Sequence, residues 1–169
     1  MEIKDGINRC VLINDYYNSD AASFQLALNT LAMQDAGREK VVILSDFVDT
    51  GTGERELYRE VALLLRKAKV SLFIGIGEKL SRYKPYFLVP RCRFYKDTDS
   101  FLRQENREQF KDQVILIKGA RKFRFEYIAG FLQKQSHATV LEVDFDAMVH
   151  NLNYFRSLLP RKTMIAVMV

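Results

Sequence analysis

The sequence predicts an α/β fold in which a mostly parallel sheet is covered by helices on both faces. Three observations carry this. Short runs rich in Val, Ile and Leu recur along the chain without the polar alternation of a half-exposed strand. Amphipathic segments separate those runs. The chain, at 169 residues and 48% hydrophobic, is long enough to bury such a core as one ordinary domain with a small appendage.

In chain order, Cys10–Asn14 reads as a buried strand, followed by a helix that turns Phe24, Ala27, Leu28 and Leu31 to one side. Val41–Leu44 is the second strand, and the next helix carries Leu57, Val61, Leu64, Leu65 and Ala68 at helical spacing. Val70–Ile74 is the third strand, ending in Gly75-Ile76-Gly77. A shorter strand at Cys92–Tyr95 precedes a helix opened by Asp97 or Thr98. Val114–Ile117 is a further strand, and the helix after it points Phe125, Ile128, Ala129 and Leu132 inward. This is the pattern of a doubly wound, Rossmann-like sheet, and in such sheets ligands sit at the carboxyl ends of the strands.

The polar stretch Gln133–His137 marks a boundary, which divides the chain into residues 1–135, a linker at 136–138 and a C-terminal segment 139–169. That segment reads as a β-α-β stub. Thr139–Val143 is a strand, Met148, Leu152, Phe155 and Leu159 form one helix stripe, Pro160 ends the helix, and Thr163–Val169 is a last apolar strand. Because the chain stops inside that strand, a piece of a longer protein is expected. A stripe with no partner of its own must pack on the larger domain or on a second copy, so a homodimer through the tail is one expectation.

Composition removes several classes of function. Cys10 and Cys92 make no disulfide framework and read as buried thiols in a reducing compartment. No apolar run approaches the roughly 18 residues of a membrane span, and Met1–Gly6 has no signal-peptide pattern. A cytoplasmic location without membrane contact is therefore expected. The net charge of +5 comes from 26 basic and 21 acidic residues mixed along the chain, with aromatics inside apolar runs. Nucleic-acid binding is not expected from that pattern, while a modest pull on a small anion is.

Candidate chemistry lies just after the strands. Asn14 to Ser23 clusters polar groups at a helix N-terminus, where either an N-cap (Asp20 or Ser19) or an anion site fits. Asp46 follows the second strand and could orient an amine or a metal, or be a plain loop carboxylate. Gly75-Ile-Gly77 lacks the third glycine of a dinucleotide fingerprint, since position 80 is Leu, and no Gly-x-x-x-x-Gly-Lys-Ser/Thr loop occurs. Lys118-Gly119-Ala120-Arg121 is expected to open a helix, with Lys122 and Arg124 adding charge. Cations there oppose the helix dipole, which favours a bound carboxylate or phosphate over a solvated first turn. His137 and His150 lack partners at metal-ligand spacing, and no metal site is expected.

Three blocks together resemble a family. Asp15-Tyr-Tyr-Asn-Ser-Asp-Ala-Ala-Ser-Phe24 is similar to the Asp-Ser-Tyr-Asn-Ala-Asn-Pro-x-Ser-Met stretch of the Mur ligases that add D-alanyl-D-alanine. Ser45-Asp-Phe-Val-Asp-Thr-Gly51 resembles their Gly-Asp-Met-x-Glu-Leu-Gly. Ile115-Leu-Ile-Lys-Gly-Ala-Arg121, with Glu126 beyond it, resembles their Leu-Val-Lys-Gly-Ser-Arg-x-x-x-Met-Glu. The blocks keep the family's order over residues 9 to 135. The chain departs from the family at Asp20 (Asn there), Ser45 (Gly), Ala120 (Ser), Tyr58 (His) and Ala62 (Gly). In the tail, Thr139–Leu152 is similar to the opening of alanine racemases, with their Asp-x-x-Ala-x-x-x-Asn-Leu, and Met164–Val169 resembles the strand before their cofactor lysine.

The resemblance implies the C-terminal domain of such a ligase, cut across its junction with a racemase. The parent would use ATP and Mg²⁺ to join D-alanyl-D-alanine to UDP-N-acetylmuramoyl-tripeptide in peptidoglycan precursor synthesis, through an acyl phosphate. Asp15, Tyr17 and Asn18 would touch ATP, and Asp46, Lys118 and Arg121 would line the dipeptide side. The P-loop and the Mg²⁺ ligands would lie in a central domain outside these residues, so no catalytic residue is expected here and the fragment alone should be inactive. Pyridoxal phosphate would serve the parent racemase and is not expected to bind this chain. The alternative is a stand-alone α/β module that binds anions or regulates.

Overall fold

The computed structural model describes every residue except 18–19, 35–36, 49–52, 135–142, 165 and 167–169. The chain divides into two compact units, Met1–Gln135 and Ser136–Val169. The larger unit is built on a six-stranded sheet. Its strands are β1 (Glu2–Asp5), β2 (Val11–Asp15), β3 (Glu39–Ser45), β4 (Leu72–Ile76), β5 (Arg91–Tyr95) and β6 (Gln113–Lys118), in the spatial order β1-β2-β6-β3-β4-β5. All neighbours are parallel except β1, which runs antiparallel to β2. β1 has no counterpart among the strands read from sequence. It is a polar edge strand, Glu-Ile-Lys-Asp, with its residues largely exposed, so it lacks the apolar run that marks the others.

The helices of this unit are α1 (Ala21–Met33), α2 (Glu54–Lys67), α3 (Glu78–Arg82), α4 (Thr98–Gln104) and α5 (Glu126–Leu132). Because side chains alternate across a strand, each parallel strand supplies both faces. Ile13, Val42, Leu44, Phe73, Val114 and Leu116 pack against α1, α2 and Leu80 of α3. Leu12, Val41, Ile43, Ile74, Ile115 and Ile117 pack against Phe101 of α4 and Ile128, Ala129 and Leu132 of α5. The inward faces agree with the helical spacing. Phe24, Ala27, Leu28 and Leu31 are the buried residues of α1, while α2 also buries Tyr58 and Ala62.

Two expectations in this unit are corrected. Lys118–Arg121 does not open an α-helix. Arg121–Phe123 is a single 3₁₀ turn, Arg124 takes a left-handed conformation, and α5 begins only at Glu126. The dipole argument explains the delay, since an acidic residue and not the basic run occupies the first helical turn. Cys92 is half-buried, whereas Cys10 is buried as expected.

In the smaller unit, α6 (Phe145–Leu158) is capped by Asp144, whose carboxylate accepts from the Ala147 N–H at 3.0 Å. Its stripe residues Met148 and Phe155 are exposed. The expected strand at Thr139–Val143 falls outside the described residues except for Val143, which is not in a strand. Of the expected strand Thr163–Val169, the described Thr163, Met164 and Ala166 are not in one either. Among the described residues, no helix is long and apolar enough to cross a membrane.

Candidate functional site

β2, β3 and β4 hand the chain to helices on one face of the sheet, and β5 and β6 hand it to helices on the other. β6 lies between β2 and β3, so the chain departs to opposite faces on both sides of its carboxyl end, and again between β4 and β5. Such points open crevices at the strand ends. The residues that follow β2, β3 and β6 are those of the three sequence blocks.

The parallel register sets Asp15 opposite Lys118. Their side chains meet, with Lys118 Nζ donating to Asp15 Oδ2 at 2.8 Å, and the Lys118 side chain is only 1% exposed. A buried ammonium needs such a partner. Thus Asp15, expected at ATP, and Lys118, expected at the dipeptide, are joined to each other. Tyr17 stands beyond them and is 73% exposed. Asn18 lies outside the described residues. Next to Asp15 in β2 the Asn14 side chain is buried, and among the described residues neither its Nδ2 nor its Oδ1 is hydrogen-bonded.

Asp46 is 6% exposed, and its carboxylate accepts from the Lys79 N–H at 3.0 Å and the Leu80 N–H at 2.8 Å. It caps α3 from another strand, because Gly77, at the N-cap, has no side chain to do so. Gly77 sits at φ +136°, and a Cβ there would lie 2.2 Å from Asp46 Cγ. The glycine therefore makes room for the carboxylate as well as for the turn. Burial raises the Asp46 carboxyl above its ordinary range, partly offset by the two N–H donors. The Tyr58 hydroxyl is buried, and burial, with the Asp46 charge nearby, pushes its pKa up. Its ring stacks on Tyr83 with centroids 5.1 Å apart. Ser45 ties β3 to the loop after β6, its Oγ accepting from the Ala120 N–H at 2.8 Å. Gly119 in that loop is packed so closely that a Cβ would lie 2.6 Å from the Phe125 ring.

Asp46 forms part of the wall of a cleft of about 530 Å³ at the ends of β3, β4 and β5. Lys122 and Arg124 line it from the turn before α5, Lys79 and Arg82 from α3, and Asp97 and Asp99 from the start of α4. Several of these charges are already engaged. Lys79 pairs with Glu54 at 3.3 Å, Asp97 caps α4 through the Ser100 N–H at 2.7 Å, and Arg124 lies over the Tyr127 ring at 4.4 Å. Arg121 is exposed and stands outside this lining, which takes Lys122 and Arg124 from the same turn. The result is a mixed-charge recess suited to a small zwitterion. Lys79 is a lining residue the sequence reading missed, and it read Asp97 only as a helix opener. Both lie within three residues of a strand end, so the strand-end rule applied to β4 and β5 points to them.

Among the described residues, no group of three or more His, Cys, Asp or Glu side chains is placed to hold a metal ion. The fold and cleft define a Rossmann-like α/β domain whose polar residues gather at the carboxyl edge of a parallel sheet. That fold is similar to MurF from Acinetobacter baumannii (17% identity, TM-score 0.59, over 72% of this chain and 27% of that one). It is also similar to MurF ligase from Thermotoga maritima in complex with ADP (14% identity, TM-score 0.61, over 76% of this chain and 29% of that one). The chain thus spans less than a third of the length of either. No protein-family model matches the chain, and no curated protein does.

Proposed function

We propose that this chain is the C-terminal domain of an ATP-dependent ligase that adds D-alanyl-D-alanine to UDP-N-acetylmuramoyl-tripeptide, continuing in the parent protein into an alanine racemase. The observation that carries the reading is the meeting of the three sequence blocks at one sheet edge: Asp15 bonded to Lys118, Ser45 bonded to the Ala120 amide, and Asp46 in the cleft wall. The similarity in fold to the MurF structures supports it. The tail supports the second half only through its sequence, since α6 carries the Asp144-x-x-Ala147-x-x-x-Asn151-Leu152 pattern.

In the reaction so proposed, a carboxylate oxygen of the tripeptide attacks the γ-phosphorus of ATP, ADP leaves, and an acyl phosphate forms. The dipeptide amine, deprotonated, then attacks the acyl carbon and phosphate departs. Catalysis of this kind rests on positioning and charge neutralisation. Tyr17 offers an exposed ring to stack on the nucleotide base. Lys118 acts by holding Asp15 at the end of β2. The dipeptide lies in the cleft with its ammonium toward Asp46 and Asp99 and its carboxylate toward Lys122 and Arg124, with Arg121 adding positive charge outside the lining. Mg²⁺ would be held chiefly by the central domain, outside these residues, where it would neutralise phosphate charge.

Steady-state kinetics of the full-length parent ligase, varying each substrate separately, tests the assignment. Lys122→Ala should raise KM for the dipeptide about tenfold or more, as expected for one lost charge-assisted hydrogen bond, and leave KM for ATP nearly unchanged. Tyr17→Ala should do the reverse. A Lys122→Ala effect confined to ATP would overturn the placement of the dipeptide. Absence of dipeptide-dependent phosphate release from the parent protein would overturn the function.

A further inference from the structure

At the opposite edge of the sheet, the segment leading into β2 closes over a second cleft, of about 560 Å³. Four cations line it: Arg9 before β2, Arg38 before β3, Arg107 after α4 and Lys134 after α5. They are distant in sequence, and only the fold brings them together. Against them stand Asp5, in the lining, and Asp112, which binds Arg9 through both carboxylate oxygens at 2.6 and 2.7 Å. Among the described residues, the lining carries four cations against the one carboxylate of Asp5.

The turn that shapes this cleft is held in an unfavourable conformation. Asn8 and Arg9 are consecutive residues with φ of 48° and 62°, and Asp112 beside them has φ of 54°. Asn tolerates that region, but Arg does not favour it. Hydrogen bonds from several directions fix the turn. Asn8 Nδ2 donates to the carbonyls of Arg107 (3.3 Å) and Phe110 (3.1 Å), the Asp112 N–H donates to the Asn8 carbonyl (3.0 Å), and Arg38 Nη1 donates to the Arg9 carbonyl (3.0 Å). Arg107 is further positioned by lying over the Phe131 ring at 5.6 Å. Guanidinium groups fixed in this way lose little freedom on binding and match the oxygens of a phosphoryl group.

From this geometry we propose that the cleft at the amino ends of β2 and β3 is a binding site for a phosphorylated small molecule carrying two or more negative charges. It is separate from the strand-end cleft: β2 alone, from Val11 to Asp15, puts about 13 Å between the two edges at ~3.3 Å per residue. The proposal does not rest on the ligase reading. Among the described residues, no aromatic side chain lines this cleft, so they offer no platform on which the bases of a single-stranded nucleic acid would stack.

The test uses inorganic pyrophosphate as the probe and the whole chain, with binding measured by titration calorimetry and by amide chemical shifts. Saturable binding is expected, with the largest shifts at residues 6–10 and around Arg107 and Lys134. Arg107→Ala and Lys134→Ala should each weaken it tenfold or more, and raising salt from 50 to 200 mM should weaken it further. Lys134→Glu keeps the test valid if Arg107→Ala loosens the Phe131 contact, because Lys134 is exposed. Lys122→Ala, in the other cleft, should leave the affinity unchanged. The proposal is overturned by an absence of saturable binding, by a Lys122→Ala loss equal to that of Lys134→Glu, or by citrate binding more tightly than pyrophosphate.

Discussion

Replacing Gly77 with alanine should destabilise the larger unit through one identifiable contact. The new Cβ would stand 2.2 Å from Asp46 Cγ and 2.3 and 2.5 Å from its two oxygens, on a backbone at φ +136°. The backbone conformation alone costs about 2 kcal/mol for a residue with a side chain. The clash also pushes the carboxylate off the Lys79 and Leu80 amides, which it now accepts from at 3.0 and 2.8 Å. Losing that charged cap costs about 3 kcal/mol, so Gly77→Ala should cost about 5 kcal/mol in all. Asp46→Ala removes the cap without the backbone strain and should cost about 3 kcal/mol. In the double variant the cap is lost only once, so it should be about as stable as Gly77→Ala alone, a coupling of about 3 kcal/mol. Urea denaturation followed by the near-ultraviolet signal of the stacked Tyr58 and Tyr83 measures all three. If the two single costs add to within about 0.5 kcal/mol, Gly77 is not there to admit the Asp46 carboxylate and the account of this corner is wrong.

Lys118→Met leaves Asp15 without its partner in a pair whose lysine side chain is 1% exposed, and should cost about 3 kcal/mol, of which Lys118→Met with Asp15→Leu recovers at least half. A loss below about 1 kcal/mol would mean the pair is well solvated. Asp20→Ala removes the carboxylate that accepts from the Ser23 N–H at 2.8 Å and should cost about 1 kcal/mol in thermal unfolding. Carbon-detected NMR titration should separate the two caps. Burial raises Asp46, so the proton-linked part of its stability is fully present below the unfolded value of about 3.9 and is lost as pH rises through the folded one, while the two amide bonds to the carboxylate remain. The Ser23 hydroxyl and amide lower Asp20, so its contribution is present above that value and is lost as pH falls through the folded one. Midpoints in the opposite order would contradict the hydrogen-bond assignments.

The parallel strands and the helices that cover them were legible because burial on two faces leaves an unbroken apolar run, and burial on one face leaves a 3.6-residue spacing. Val41–Leu44 and Phe24, Ala27, Leu28 and Leu31 are of that kind, and each is buried. β1 was not legible, since an edge strand exposed to water carries no such run. α3, with five residues, is too short for a periodicity, and it depends on a cap supplied from β3. The basic run after β6 shows how local reading misleads. Charge and glycine suggested a helix opening on an anion, but Gly119 is there to let Phe125 approach, and the helix waits for Glu126.

What the sequence by itself determined was the class of fold, the strand ends as the place to look, and Asp15, Asp46 and Lys118 as residues of interest. All three follow from local pattern. The tertiary structure alone decided that Asp15 and Lys118 face each other, because residues 103 apart meet only through the register of β2 against β6. It alone decided that Lys122 and Arg124 turn into the cleft while Arg121 stays outside it, because one 3₁₀ turn and a left-handed Arg124 set their directions. It also gathered Arg9, Arg38, Arg107 and Lys134 around one recess, an arrangement that no spacing along the chain encodes, since Arg9 comes from the β1–β2 connection, Arg38 from the α1–β3 connection, Arg107 from the α4–β6 connection and Lys134 from the end of α5.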